Sequence, residues 1–440
     1  SLGAPGVPVQ ALARERVFAR EESPQHSPRT RLVERHRVLA WVPPVPALGL
    51  RLLTIRAARS RRTAVPDAVR GDALGIAGPR LGVSAESGQL CLSTAGAQVV
   101  RDWIWLEAEG ERGDLYTASS IPGTFTRARL VRSRVTARGP LRAELTTDWR
   151  LDVPERRLTS AAGVARTARP VSCSARLRIQ LDAGAPWARV LVEGENRATD
   201  IRLRLIVRSG IADPTVVADA AFGPVVRAPI HATPEAVARE RPPATAPLHR
   251  YLSVFAPDRG ATLYSDGLPE YEAREDGAVA VTLLRGVGEL SRADLPERPG
   301  HAGYPVPTPD AQSLGPFEAL LAFLPHGPRT DATTALIERV ADDVLLPLTG
   351  DTWRTAVAPP DEVAGVELAG DGLACSVVKE SEDGEWTVLR CVNLLDRDVA
   401  GAWRLAGVSE ARLARLDETP LGALAVRPGE IAFSAPPRAV

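Results

Sequence analysis

Methionine is absent from this chain. A natural full-length product begins with one, so the expectation is a processed, trimmed or missing N-terminus, and a fragment whose upstream part is absent. Lysine is nearly absent too: Lys379 stands alone, and the other basic residues are arginines. That skew reads as genomic bias and not as a phosphate-binding design. Charge of either sign is not in excess, because Lys plus Arg and Asp plus Glu both total 54. Composition therefore offers no argument for a nucleic-acid partner or an anionic membrane surface. Cysteine is scarce, with four residues at 91, 173, 375 and 391 and no Cys-x-x-Cys. This spacing indicates neither a zinc site nor a disulfide framework. The six histidines are far apart and form no local ligand pair, so no metal site built from this chain alone is expected. No apolar run approaches the ~18 residues of a membrane span. The expected location is cytoplasmic, with self-association into a homo-oligomer left open. There is no Gly-x-Gly-x-x-Gly before a helix, no P-loop, no Gly-x-Ser-x-Gly elbow and no His-Glu-x-x-His.

What is present is alternation. The chain has 440 residues, enough for roughly three domains, and a hydrophobic fraction of 44% that is normal for a globular protein. Val171, Cys173, Ala175, Leu177, Ile179 and Leu181 alternate with mostly polar neighbours, the period of a half-buried antiparallel strand. Ile201, Leu203, Leu205 and Val207 alternate with Arg202, Arg204 and Arg208, with Ile206 the exception. In both strands the odd-numbered residues are expected to point inward. The alternation over residues 126–138 slips phase at Leu130 and Val131, where a β-bulge fits. Glu275, Asp276 and Gly277 lie between strand-like runs and signal a hairpin. Residues 381–385 signal another; if its loop is Glu382, Asp383 and Gly384, Cys375 lies opposite Cys391, where a disulfide is geometrically possible and two reduced thiols are the expectation for a cytosolic protein. Residues 331–344 read as the one convincing helix, with Leu336, Ile337, Val340 and Val344 on one face and Asp331 as its cap. Near the N-terminus, residues 31–41 and 49–56 read as strands of a short β unit, with residues 60–67 as a polar connector. The fold class is all-β, a large antiparallel β-sandwich with smaller flanking β-sandwich pieces. It divides into residues 1–70, 71–345 and 346–440.

Three polar clusters could carry chemistry. Gly113, Asp114, Leu115 and Tyr116 follow an apolar strand; as plain structure this is a turn and a half-buried tyrosine. Residues 193–200 (Glu-Gly-Glu-Asn-Arg-Ala-Thr-Asp) lie between two strands and read structurally as a solvated loop with an Arg–carboxylate pair. The third is residues 285–316, too rich in Pro and Gly for helix or ladder. It carries Arg292, Arg298, His301, Tyr304 and Gln312, which suits a binding loop as well as a long surface crossover. No two carboxylates can be seen from sequence to face each other across a cleft.

Taken together these blocks resemble the C-terminal β region of family 38 glycoside hydrolases, the retaining α-mannosidases. The matching pieces stand in family order: Gly113 to Tyr116; residues 189–197 leading into 200–204; Asp266, Gly267, Leu268, Pro269, Glu270 and Tyr271; and residues 283–292 through Arg298, Pro299, Gly300 and His301 to Gln312. The resemblance covers about residues 70–345. It implies a galactose-mutarotase-like supersandwich packed on a catalytic N-terminal barrel and helical bundle, which this chain lacks. It implies a zinc-dependent enzyme acting on α-mannosides, with the nucleophile and zinc ligands outside this chain and the missing catalytic domain as partner. By motif position Tyr116 matches a tyrosine that contacts the sugar, and Arg298 an arginine reaching the same pocket, with Arg292 the alternative across a loop of variable length. Asp114 completes the candidate substrate-binding set; catalytic and metal-binding residues are expected to be absent. Tyr116 and Arg298 should share one edge of the sandwich with solvent-reachable tips. Ser313 stands where close relatives often have Cys. Within the family, a mannosylglycerate hydrolase is the alternative; outside it, a free-standing carbohydrate-binding sandwich, and after that a purely structural β protein.

Overall fold

Nearly all of the regular structure is antiparallel strand, in a computed structural model that describes residues 2–3, 7–53, 56–57, 64–96, 98–160, 163–166, 169–228, 233–274, 276–352 and 360–440. Glu275 of the first hairpin signal, residues 54–55 of the second N-terminal strand, residues 60–63 of the connector and His231 lie outside the described residues.

A nine-stranded sheet is the backbone of the molecule. Its order is Arg129–Arg138, Arg142–Pro154, Pro170–Asp182, Ala188–Asn196, Gly315–His326, Gly260–Asp266, Tyr251–Phe255, Thr215–Ala218 and Val225–Arg227. A six-stranded sheet runs Thr126–Arg127, Ile104–Gly110, Ile201–Arg208, Ala278–Arg285, Glu270–Ala273 and Ala246–Pro247. A smaller five-stranded sheet built from residues 70–100 adds to them. The main core draws Leu145, Trp149, Leu177, Ile179, Val190 and Val192 from the first and Leu203, Leu205, Val279 and Val281 from the second, and Trp105, Ile206 and Ala280 join it from the second sheet's other face. Of the expected inward set, odd positions from 173 to 181 and from 201 to 207 are buried, and Val171 is half-buried against the main core. The phase slip is a bulge: Leu130 pairs with Trp149 and Arg132 with Asp148, leaving Val131 extra.

The even positions of Ile201–Arg208 depart from expectation. Arg202 and Arg204 are buried rather than solvated. The adjacent strand Ile104–Gly110 and, one strand further on the other side, Glu270–Ala273 present carboxylates to them: Glu109 and Glu270 flank Arg202, while Glu107, Glu109 and Glu272 surround Arg204. A buried guanidinium is tolerated where counter-charges and hydrogen bonds surround it. Trp105 continues this face, with Arg127 4.4 Å and Arg208 5.0 Å from its ring centroid.

The helix Asp331–Leu345 packs on the other face of the nine-stranded sheet, its Ile337, Val340, Ala341 and Val344 against Tyr251, Phe255, Tyr264 and Leu324. Thr330, not Asp331, is its cap, with the Thr330 hydroxyl accepting from the Thr333 N–H. A second, short helix, Pro234–Arg239, was not anticipated. At the N-terminus the structure builds a long ribbon, Val9–Ser23 paired with His26–Ala40, in place of a short unit. Both faces are largely exposed, so no apolar period marks its first strand. Gln10 anchors its base: Oε1 accepts from the N–H groups of Leu141 and Arg142, and Nε2 donates to the Arg142 carbonyl. Leu50–Arg51 pairs with Glu362–Val363, tying the N-terminal segment to the C-terminal one. The C-terminal strands enclose a small core of Trp403, Ala411 and Ile431.

Candidate functional site

The strand Ile104–Gly110 ends in a tight excursion held from inside by two carboxylates. Glu111, fully buried, accepts at Oε1 from the N–H groups of Gly113 and Ser119, both at 2.7 Å, and so closes the excursion at its neck. Its Oε2 is buried with no partner among the described residues. Burial pushes the Glu111 carboxyl up, against the lowering pull of the two N–H groups and of Arg285 and Arg202. Asp114 is likewise 0% exposed. Its Oδ1 accepts from the N–H groups of Tyr116 (2.9 Å) and Thr117 (2.7 Å), an Asx-type turn. Its Oδ2 accepts from the Arg292 N–H (2.8 Å) and from Arg298 Nη2 (2.6 Å).

The long loop after Ala278–Arg285 wraps this excursion. Arg285 Nη1 donates to the Asp114 carbonyl, and the Leu115 N–H donates to the carbonyls of Glu289 and Leu290. Arg298 enters from a two-residue hairpin, Asp294–Leu295 with Arg298–Pro299. Besides Asp114, its guanidinium donates to Thr117 Oγ1, the Arg292 carbonyl and the Gly300 carbonyl. Thr117 in turn donates to Glu240. Arg292 makes a two-pronged pair with Asp294 and a further bond to Glu289. Buried Ser291 accepts from the N–H groups of Ala302 and Gly303, which draws residues 302–303 back toward the excursion. Gln312 fastens the far end of the loop, exchanging two hydrogen bonds with Asp200.

Tyr116 and Arg298 therefore share one locality, as the motif order implied. The expectation of a solvent-reachable Arg298 is corrected: it is 6% exposed. The reason is Asp114, a partner 184 residues away in sequence that neutralises the guanidinium where it sits. Burial alone would raise the Asp114 carboxyl; Arg298 and the N–H groups of Thr117, Arg292 and Tyr116 outweigh it and hold the group below the usual carboxylate range. The polar ends of Asp114, Arg292 and Arg298 are all turned onto the loops, and Tyr116, 58% exposed, is the expected site residue that faces out. Its ring rests on Gly303, where an added Cβ would stand 2.9 Å from the tyrosine oxygen. Leu115, Tyr304 and Val306 are exposed on the same loops.

Sequence reasoning missed Glu111, Thr117, Glu240, Ser291 and Gly303. Ser291 and Gly303 lie within the quoted motif block, so position could have flagged them; the Thr117–Glu240 bond, between residues 123 apart, has no local signal. In the second cluster, Arg197 and Glu195 form the expected exposed pair, while Asn196 and Asp200 are buried and brace the chain. In the loop pair, Glu111, Asp114, Glu240, Glu289 and Asp294 each accept a hydrogen bond within the loops. Among the described residues no group of three or more His, Cys, Asp or Glu could hold a metal ion, so the zinc implied by the resemblance does not fit onto them. No described helix is long and apolar enough to cross a membrane.

The likeness read from the motifs extends to the fold of two solved structures. An α-mannosidase from Enterococcus faecalis V583 superposes with a TM-score of 0.78 over 98% of this chain and 50% of its own, at 17% identity. A protein of glycosyl hydrolase family 38 from Enterococcus faecalis gives 0.77 over 98% and 52%, also at 17% identity. In sequence, 219 residues are 31% identical to the "Putative mannosylglycerate hydrolase" of Halalkalibacterium halodurans, which is 50% of this chain and 22% of that protein. The chain thus spans about half the length of these solved structures, and its match covers about a fifth of the sequence relative. No protein-family model matches it.

Proposed function

We propose that this chain is the sandwich half of a retaining, zinc-dependent α-mannosidase of family 38, and that it lends Tyr116 to a sugar pocket whose nucleophile, acid/base and zinc ligands lie in a preceding catalytic domain. One observation carries the reading. Tyr116 projects outward from a loop that Asp114 and Arg298 immobilise, and these two partners come from the two motif blocks that carry the resemblance. A retaining glycosidase needs two carboxyl groups ~5–5.5 Å apart and hydrogen bonds to sugar hydroxyls that strengthen in the transition state. The phenol hydroxyl of Tyr116 both donates and accepts, so it serves the second need. Asp114 and Arg298 act through it as positioning residues, because each is enclosed by the loop it holds. A free-standing carbohydrate-binding module is less well supported: among the described residues, Arg202 and Arg204 of the six-stranded sheet are held in ion pairs and its Trp105 is buried beneath Arg127 and Arg208.

A second reading, hydrolysis of mannosylglycerate, is favoured by the 31% identical relative. The test joins the chain to its catalytic domain and compares kcat/KM on p-nitrophenyl α-mannoside and on mannosylglycerate. Preference for the first supports a general α-mannosidase, preference for the second the alternative, and turnover of neither overturns both. The chain by itself is expected to hydrolyse no aryl α-mannoside and to bind no stoichiometric zinc; activity or zinc in a preparation free of host mannosidase would contradict the division of labour.

A further inference from the structure

The hairpin of Leu373–Glu380 and Thr387–Asn393 places Cys375 directly opposite Cys391. Directly opposed residues of an antiparallel pair project to the same face, with Cα atoms ~4.5 or ~5.5 Å apart according to the hydrogen-bond pattern. Both separations fall within the roughly 4.4–6.8 Å that a disulfide spans. The register moves from Cys375↔Cys391 to Val377↔Arg390, so Ser376 is an extra residue that gives the first strand local play beside its cysteine. Both thiols are free, Cys375 exposed and Cys391 half-buried. Burial raises both above the usual thiol value, Cys391 to about 11 with Cys375 as the further cause. Cys91 and Cys173 are buried in the main sandwich and have no such opposed partner.

We propose that Cys375 and Cys391 are a redox-responsive pair, which a small-molecule disulfide such as oxidised glutathione converts to an intrachain cross-strand disulfide. The exposed Cys375 thiolate attacks one sulfur of the glutathione disulfide; that S–S bond breaks, one glutathione thiolate leaves, and a mixed disulfide remains on Cys375. The Cys391 thiolate then attacks Cys375 Sγ and expels the second glutathione thiolate. Two protein thiols are oxidised, one glutathione disulfide is reduced to two thiols, and the two protons given up by the cysteines end on glutathione. The product staples residues 375 and 391 across a hairpin whose Cys391 packs against the Trp403–Ile431 core, and so fixes the C-terminal unit covalently.

The test incubates the full chain with oxidised glutathione at about pH 8.5, where thiolate is more abundant. The sample is acid-quenched, alkylated under denaturing conditions, digested with trypsin without reduction and mapped by mass spectrometry. Lys379 and Arg390 lie between the two cysteines, so trypsin puts them in separate peptides that stay together only through a disulfide. The expected result is a linked Cys375–Cys391 peptide pair, a protein mass lower by about 2 Da, and Cys91 and Cys173 still alkylated. Cys391→Ser should stop at a stable glutathione adduct on Cys375. Wild-type protein that stays fully reduced, keeps glutathione adducts without the linked pair, or links either cysteine to Cys91 or Cys173 would overturn the proposal.

Discussion

Replacing Arg298 by methionine removes the cation beside Asp114 while keeping most of the side-chain length. In the native protein the two groups are 2.6 Å apart and sealed from solvent. The variant leaves Asp114 with the N–H groups of Tyr116, Thr117 and Arg292 but no counter-charge, and the carbonyls of Arg292 and Gly300 lose a donor. Breaking a buried pair from one side costs about 3–5 kcal/mol, most of it the penalty of the stranded charge. Asp114→Asn strands Arg298 instead and should cost a similar amount. The double variant strands neither charge, so its cost should fall short of the sum by about 1–3 kcal/mol. The assay is equilibrium urea unfolding followed by tryptophan fluorescence, since Trp103, Trp105 and Trp149 are buried in the main sandwich. Single variants within ~0.5 kcal/mol of wild type, with additive effects, would refute the claim that a desolvated ion pair holds the loop.

Leu177→Ala should destabilise the sandwich by about 2–5 kcal/mol, whereas Arg176→Ala, one position along on the exposed face, should cost under ~1 kcal/mol; equal losses in urea unfolding would overturn the strand's register. Glu111 supplies a pH signature. Its native pKa is raised, so between its unfolded and native values the folded state binds more protons, and stability from this group falls as pH rises through that window. Glu111→Gln should flatten that decline; an unchanged pH–stability profile would show that the carboxyl is not perturbed.

The strands and their register were legible because one face of each is buried and the side-chain period is two. That is why the inward set of Pro170–Asp182 and the Val131 bulge could be read from spacing alone. The Cys375–Cys391 opposition holds for another reason: Glu380 pairs with Thr387, one residue off the register that a loop at Glu382, Asp383 and Gly384 sets, and the extra Ser376 restores it. What failed were features that depend on a neighbour. Arg202 and Arg204 look solvated in their own strand, and only the carboxylates of Glu107, Glu109, Glu270 and Glu272 make their burial tolerable. Val9–Ser23 has no buried face, so it left no period to read. Thr330 caps the helix in place of Asp331 because its side chain is the one positioned to receive the Thr333 N–H. At the site, the motif blocks located Tyr116, Asp114, Arg292 and Arg298 together, but not which of them faces outward. That division rests on a salt bridge between distant segments, which no local pattern encodes.

The central proposal is that Tyr116 is held out by the Asp114–Arg298 anchor to bond the sugar, and Tyr116→Phe in a protein that also carries the proposed catalytic domain tests it most directly. The substitution removes one hydroxyl from an exposed ring and leaves the ring's packing on Gly303 in place. If the hydroxyl bonds the sugar in the transition state, kcat/KM should fall about tenfold or more with stability unchanged, since such a bond is worth ~1–3 kcal/mol. A Phe variant with wild-type kcat/KM would contradict the account and remove Tyr116 from the pocket.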